Sequence, residues 1–318
     1  MPAPVLTRRM AGLLENIRRA NRPPFHTMTA QEARRSYDAA AEILELPRAP
    51  LARVDPLCIP SFDGATLPAR LYAGTPAGGG EALPALLYLH GGGFTIGSLE
   101  THDSLCRQIA LRSGAAVIAL DYRLAPEHRF PSAVDDAWAA LSWLAANAAA
   151  LGLDAARLAV GGDSAGATLA ATCAIHARDI GLPLRLQVLI TPGTTAHADT
   201  PSQREFAHGY LLDAADIAWF FDQYIERSQR CDWRFAPLEA DALDDVAPAC
   251  VVLAECDPLL DEGIAYADRL RAAGVPVELE IHRGVTHDFI KLGRLLPEAE
   301  TAQAAIGAAL KAAFDKLV

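Results

Sequence analysis

The chain has 318 residues, of which 51% are hydrophobic and 21% are charged. This balance is typical of a globular protein with a large core and excludes a disordered chain. The formal net charge of −11 argues against a nucleic-acid surface, because such a surface needs an excess of clustered Lys and Arg.

Residues 1–48 predict two helices separated by Arg22-Pro23-Pro24. Apolar residues recur on one face of the first helix. Charged side chains interrupt the first 20 residues, so the pattern predicts neither a secretory signal nor export, and we expect a cytoplasmic protein. The apolar positions are Val5, Leu6, Met10, Leu13, Leu14 and Ile17, and the charged ones are Arg8, Arg9, Glu15, Arg18 and Arg19.

Strands are predicted near 54–60 and 66–73, and the apolar run 83–89 predicts a strand buried on both faces. It leads into His90-Gly91-Gly92-Gly93-Phe94. Three successive glycines let bare backbone N–H groups turn toward one point, where they can stabilise the oxyanion of acyl transfer. Taken alone, such a tract is more often a flexible loop.

A second motif, Gly162-Asp163-Ser164-Ala165-Gly166, follows the strand-like run 157–161 and precedes a helix-compatible segment. Strand, tight turn and helix form the context of a nucleophile elbow, which would present Ser164 above a sheet. Between the two motifs lie a strand predicted near 115–121 and an uncharged stretch over 137–153. That stretch is rich in alanine, so we expect a helix packed on the sheet and no stable membrane insertion.

The two glycine motifs in this order resemble the lipases and esterases of the α/β-hydrolase fold, whose catalytic residues follow the order Ser, acid, His. Further strands are predicted near 186–191, 249–254 and 277–282, with a helix over 213–227. Only His282 and His287 follow a plausible acid. The pattern favours His287, past Gly284 in a loop, over His282, which ends an alternating strand run.

Three acidic residues compete for the role of the triad acid. Asp257 follows a buried strand and precedes a proline, which suits a loop at the carboxyl edge of the sheet. Glu255 is still within the strand, and Asp261 begins a helix, where an acid usually serves the helix dipole. We therefore expect the acid to be Asp257.

Further stretches, residues 121–128, Phe130-Pro131 and residues 257–267, make the chain similar to the hormone-sensitive-lipase-like (family IV) bacterial carboxylesterases. The resemblance implies an eight-stranded, mostly parallel sheet flanked by helices, with a helical cap. It implies a catalytic domain over 49–318, with residues 1–48 and an insertion at about 195–232 forming the cap. It also implies cis bonds before Pro126 and Pro131.

The resemblance assigns the catalytic roles to a triad of Ser164, Asp257 and His287. The oxyanion donors would be the backbone N–H groups of Gly92, Gly93 and Ala165. Three departures from the family pattern stand out: Asp288 where glycine is common, Cys256 where an aromatic precedes the acid, and Thr191 where an aromatic precedes a proline. They leave the mechanism intact and bear on the pocket and on the pH optimum.

The expected activity is hydrolysis of short-to-medium acyl esters through an acyl-enzyme, without a cofactor and without a metal site. The expected partner is a small ester, and the sequence leaves a homodimer open. An amidase or lactonase on the same triad is the alternative, and a non-catalytic ligand receptor is the less favoured one because His287 is present. The six cysteines show no paired metal spacing, which favours buried thiols in a reducing compartment.

Overall fold

The computed structural model describes residues 5–78, 80–196 and 199–316. Positions 1–4 of the predicted cap segment, 197–198 of the predicted insertion and 317–318 therefore lie outside the described residues. Within these ranges the strands form one eight-stranded sheet. The strands are β1 Arg53–Pro60, β2 Thr66–Ala73, β3 Leu83–Leu89, β4 Ala116–Leu120, β5 Leu153–Asp163, β6 Gln187–Ile190, β7 Ala249–Cys256 and β8 Val277–Thr286.

The strand order in the sheet is β1-β2-β4-β3-β5-β6-β7-β8. Strand β2 pairs antiparallel with both β1 and β4, and every other neighbouring pair is parallel. The expectation of a mostly parallel α/β-hydrolase sheet is thus confirmed. Because strands β3 to β8 all run in one direction, the loops that follow them meet at one edge of the sheet.

Helices cover both faces of the sheet, and the central strands are apolar on both sides. In β3, for example, Leu87 and Leu89 belong to one core, whereas Leu86 and Tyr88 belong to the other. The first core is covered by helices α4 Ser132–Asn147, α5 Ala165–Asp179 and α8 Leu260–Ala272. The second core is covered by α3 Asp103–Ser113 and α9 Pro297–Asp315.

Among the described residues, four α-helices stand outside the strand-helix alternation: α1 Arg8–Ala20, α2 Ala30–Leu44, α6 Pro201–Glu205 and α7 Ala214–Tyr224. Thr29 and Glu32 form a reciprocal capping box that starts α2 after the Pro23-Pro24 break. The segment between α1 and α2 packs against α7, since the ring centroids of Phe25 and Phe220 are 6.0 Å apart. The division of the chain into a catalytic domain and a cap stays a prediction.

The Ala125–Pro126 and Phe130–Pro131 bonds are cis, as the resemblance implies. The stretch 137–153 forms the end of α4, a short 3₁₀ turn and the start of β5. Among the described residues, none of the helices is both long and apolar enough to cross a membrane.

Candidate active site

Ser164 occupies the turn between β5 and α5 with φ 52° and ψ −122°. A positive φ costs free energy in any residue with a Cβ, so the surrounding structure has to impose it. The Ser164 N–H donates to the Ile190 carbonyl at the end of β6 over 2.8 Å. The neighbouring strand thereby helps to hold the serine above the sheet edge.

Gly166, two residues after the serine, lies where two backbone segments approach each other closely. A Cβ on Gly166 would lie 1.9 Å from the Leu89 carbonyl oxygen and 2.5 Å from that of His90. No side chain fits there. The start of α5 can therefore lie directly against the end of β3, which brings Ser164 close to the loop that β3 leads into.

The structure brings Ser164, Asp257 and His287 together. His287 Nε2 lies 2.9 Å from Ser164 Oγ, and His287 Nδ1 lies 2.8 Å from Asp257 Oδ2. Asp257 is 1% exposed, and its other oxygen accepts from the Leu259 N–H over 2.9 Å. This contact leaves the first oxygen oriented toward the imidazole.

A bulge in β8 sets the position of His287. The sequence pattern places the end of this strand at His282, but the structure extends it to Thr286. The register between β7 and β8 shifts at this point: Ala254 pairs with His282, but Cys256 pairs with Thr286. Gly284, with φ 67°, lies in the inserted stretch. The bulge changes the direction in which the strand delivers His287. His287 lies in a turn past Gly284, as the sequence predicts, but this turn begins only after Thr286.

The competing residues have other partners. Glu255 accepts from the Gly284 N–H over 2.8 Å and so stabilises the bulge. Asp261 accepts from the Ser202 N–H over 2.8 Å. His282 stays in the strand, 3.3 Å from Glu280.

The environment of His287 favours its protonated form. Burial lowers the pKa of His287, but the hydrogen-bonded Asp257 carboxylate, with smaller contributions from Asp288 and Asp163, outweighs burial and raises the pKa above its ordinary value. Asp288 has φ 66°, a left-handed conformation that asparagine and aspartate tolerate better than most residues. Glycine adopts this conformation without a steric cost, which fits the glycine that the family resemblance implies at this position.

The loop after β3 holds its amides at the mouth of the same site. Gly92 and Gly93 have φ 121° and 57°, and the Thr95 and Ile96 amides close a turn onto the Gly92 carbonyl over 3.0 and 2.9 Å. Across the part of the chain that the structure describes, the Gly92 and Gly93 N–H groups donate to no protein acceptor. Ala165, the first residue of α5, likewise has no partner for its N–H within the helix.

Asp163 anchors this loop to the elbow, a role that the sequence analysis missed. Its carboxylate accepts from the Tyr88 hydroxyl over 2.6 Å and from the Gly91 N–H over 3.1 Å, and lies 3.2 Å from His102 Nε2. Burial raises the pKa of Asp163, but His102 and the Tyr88 hydroxyl outweigh it and hold that pKa well below its usual range. The partners lie 61 to 75 residues away in sequence, so no local pattern points to them.

A second, partly buried polar cluster joins the residue after His287 to α2. The Tyr37 hydroxyl donates to Asp288 over 3.2 Å and accepts from Lys291 over 2.8 Å. Lys291 also lies 3.4 Å from Glu45. Lys291 and Tyr37 therefore partly offset the charge of Asp288.

The cavity above Ser164 has a volume of about 1000 Å³. It is bounded by the segments that stand outside the strand-helix alternation, and apolar side chains prevail in its wall. They include Leu13, Leu14, Phe25, Ile96, Leu212, Ile217, Phe220, Phe221, Phe235 and Leu259. Ser164, Ala165, His287, Gly92 and Gly93 also line it. Within the described ranges, no group of three or more His, Cys, Asp or Glu side chains is arranged to hold a metal ion.

Two contacts tie the walls of this cavity together. Asp216 of α7 accepts from the His26 N–H over 3.0 Å and lies 2.7 Å from the His26 ring. Phe220 lies directly over the glycine loop, because a Cβ on Gly93 would be 2.3 Å from its ring. Cys256 is buried beside Asp257, and burial raises the pKa of its thiol to about 11, which keeps it protonated at neutral pH.

Comparison with known proteins places the chain in a family. A family described as the alpha/beta hydrolase fold matches residues 86–291. The chain belongs to this family, and the resemblance to its hormone-sensitive-lipase-like carboxylesterases is confirmed.

Individual relatives cover nearly the whole chain. The chain is 45% identical over 281 residues to the ethyl acetate hydrolase of Pseudomonas putida, which covers 87% of this chain and 88% of the relative. It is 42% identical to the carboxylesterase NlhH of Mycobacterium tuberculosis over 80% of this chain and 81% of that one. The solved hyperthermophilic esterase of Pyrobaculum calidifontis has a TM-score of 0.90 and 38% identity, covering 97% and 98% of the two chains.

Proposed function

We propose that the chain is a serine carboxylesterase that hydrolyses short-to-medium acyl esters through an acyl-enzyme intermediate. The observation that carries the proposal is the relay from Asp257 Oδ2 through His287 to Ser164 Oγ, with contacts of 2.8 and 2.9 Å. The relay faces a cavity lined by Gly92 and Gly93. Membership in a family of ester hydrolases supports the same interpretation.

In the acylation step, His287 Nε2 removes the proton of Ser164 as Oγ attacks the ester carbonyl. The carbonyl oxygen gains negative charge, and the amides of Gly92, Gly93 and Ala165 stabilise it. His287 then gives its proton to the alkoxide leaving group. Asp257 stabilises the imidazolium throughout and keeps its tautomer fixed.

In the deacylation step, a water molecule takes the place of the alcohol. His287 removes a proton from this water, the resulting hydroxide attacks the acyl carbonyl, and the same amides stabilise the second oxyanion. The imidazolium returns the proton to Ser164 Oγ as the acid is released. These residues complete the cycle without a further reactant besides water.

The cavity wall supports the proposed substrate class. An apolar wall binds the hydrocarbon part of an ester, and each methylene that the wall covers contributes about 0.8 kcal/mol until the space is full. The activity named for the Pseudomonas putida relative, on ethyl acetate, concerns a short ester and is consistent with this class. We assign the role of a substrate-enclosing cap to residues 1–48 and about 195–232, and that of the catalytic domain to the rest of 49–318.

A series of p-nitrophenyl esters of increasing acyl length, with one anilide and a Ser164→Ala control, tests the proposal. We expect turnover to peak among short-to-medium esters and to fall about a millionfold in the control. Retention of more than a few per cent of activity in Ser164→Ala would reject the nucleophile. Faster turnover of the anilide than of every ester would indicate an amidase instead.

We also propose a cytoplasmic enzyme whose partner is a small ester, with neither a nucleic acid nor a membrane as partner. The sequence arguments are the net charge of −11, which disfavours a nucleic-acid surface, and the spacing of the six cysteines, which fits a reducing compartment. Fractionation of cells that express the chain tests the location. Recovery of the activity in the exported or membrane fraction would contradict it.

A further inference from the structure

We propose that Arg34 of α2 is a positioning residue. It holds the loop after β3 that carries Gly92 and Gly93, the oxyanion loop, so that the cap helix takes part in transition-state stabilisation. The inference rests on the proposed esterase function. Arg34 Nε donates to the Thr95 carbonyl over 2.8 Å, and Arg34 Nη2 donates to the Ala125 carbonyl over 2.7 Å. Both acceptors belong to the catalytic domain, and they lie 61 and 91 residues from Arg34 in sequence.

The first contact acts on the loop that carries the two glycine amides. Thr95 is fully buried, its N–H closes the turn onto the Gly92 carbonyl over 3.0 Å, and its hydroxyl donates to the Gly93 carbonyl over 3.1 Å. Thr95 is thus hydrogen-bonded to both of the glycines that line the cavity. Fixing the Thr95 carbonyl from outside fixes the plane of the turn, and with it the direction of the two amides.

The second contact joins this loop to the segment that contains Ala125. The Ala125 N–H already donates to the Phe94 carbonyl over 2.8 Å. Arg34 spans the carbonyls on the two sides of this bond, those of Thr95 and Ala125. One planar guanidinium with donors in a fixed fork can bridge two carbonyls in this way, whereas a lysine ammonium is a single point charge.

Glu127 orients the guanidinium. Its two oxygens accept from Arg34 Nη1 and Nη2 over 3.0 and 2.6 Å. These hydrogen bonds from Arg34 lower the pKa of Glu127. The Glu127 side chain is 46% exposed, so its pairing is screened by water. The carbonyl contacts, which are partly buried, therefore carry the positioning role, and the carboxylate steadies the fork.

The mechanism predicts where the loss appears when Arg34 is removed. A substrate carbonyl in the ground state gains little from the amides, whereas the oxyanion of the transition state depends on their direction. Misplacement of such groups by about 1 Å can cost about 100-fold in rate. We therefore expect a fall in kcat with little change in KM, and weaker binding of compounds that form a tetrahedral oxyanion on the serine.

The experiment compares Arg34→Ala, Arg34→Lys, Glu127→Gln and Arg35→Ala. Arg35 is the matched control, since it follows Arg34 on the same helix and is exposed. Measured quantities are kcat and KM for a p-nitrophenyl ester and Ki for a trifluoromethyl ketone, which forms an oxyanion adduct. An organophosphonate titrates the folded active sites, so kcat refers only to folded molecules.

We expect kcat to fall about 10- to 100-fold in Arg34→Ala, with Ki for the ketone rising in parallel and KM within about twofold. Arg34→Lys, which keeps the charge and secures the test if the alanine variant does not fold, should show the same pattern with a smaller loss. Added methylguanidine should restore part of the kcat of Arg34→Ala. Glu127→Gln and Arg35→Ala should remain within about threefold of the wild type.

The inference is overturned if kcat and the ketone Ki do not change in the Arg34 variants, or if their loss lies wholly in KM. In that case α2 would act only as a wall of the binding cavity. An effect of Glu127→Gln as large as that of Arg34→Ala would also overturn it, because the ion pair would then carry the effect. Failure of the proposed function looks different: the wild type would lack esterase activity that depends on Ser164.

Discussion

Replacing Gly93 by alanine tests whether the packing of α7 on the oxyanion loop matters for catalysis. Gly93 has φ 57°, and a Cβ there would lie 2.3 to 2.4 Å from two atoms of the Phe220 ring. The ring is confined, since Phe220 is 6% exposed and packs against Phe25 and Trp219 at centroid distances of 6.0 and 5.1 Å. The new methyl group therefore has to push either α7 or the loop.

Two costs add in Gly93→Ala. The left-handed backbone costs about 1–2 kcal/mol once a Cβ is present. Displacement of the loop moves at least one oxyanion donor, and losing one such donor costs about 10²–10³-fold in kcat, or about 2.7–4 kcal/mol. We expect kcat of Gly93→Ala to fall at least about 100-fold, measured with a p-nitrophenyl ester on titrated active sites.

Two further variants separate these costs. Gly152→Ala imposes a similar backbone strain and should leave kcat unchanged, since Gly152 has φ 76° and a Cβ there would meet none of the described residues within 4 Å. Phe220→Ala opens space over the loop, so the double variant Gly93→Ala/Phe220→Ala should be at least about 10-fold faster than Gly93→Ala. Wild-type turnover in Gly93→Ala would refute the reasoning. A double variant no faster than the single one would place the loss in backbone strain.

Three other predictions concern the candidate base. His287→Ala should abolish nearly all turnover while His282→Ala leaves most of it, because only His287 is within hydrogen-bond reach of Ser164, and the reverse ranking in steady-state assays would move the base into β8. Catalysis needs the neutral imidazole of His287. Asp257, with Asp288 as a smaller contributor, raises the pKa of His287, so kcat/KM should decline with falling pH already above pH 6.5. Asp288→Gly should shift this acidic limb downward by a fraction of a unit, and an unchanged pH profile would show that Tyr37 and Lys291 fully offset the carboxylate.

Local patterns were sufficient to predict most of the sheet and the three relay residues. Buried parallel strands are continuous apolar runs, so β3 is predicted with the bounds that the structure gives it. Glycine motifs mark close backbone contacts, and the contact of Gly166 with the Leu89 carbonyl is of this kind. Such signals lie within a few residues of the feature that they determine.

The end of β8 shows where local patterns fail. Gly284 interrupts the alternating run, and a glycine after such a run usually marks the end of a strand. The structure continues the strand because the Gly284 N–H is bonded to Glu255 and its carbonyl accepts from the Thr7 N–H over 2.9 Å. These partners come from β7 and from the start of α1. A bulge stabilised by two distant segments is not specified by the ten residues that contain it.

The groups that hold the oxyanion loop were missed for the same reason. Asp163 accepts a hydrogen bond from the Gly91 N–H, Arg34 donates one to the Thr95 carbonyl, and the Phe220 ring packs against Gly93. Each comes from a different element, and two of the three come from helices outside the strand-helix alternation. The glycines permit the loop conformation without enforcing it. A loop so permissive needs restraint from several sides, and movement of α2 and α7 would therefore change the oxyanion site as well as access to it.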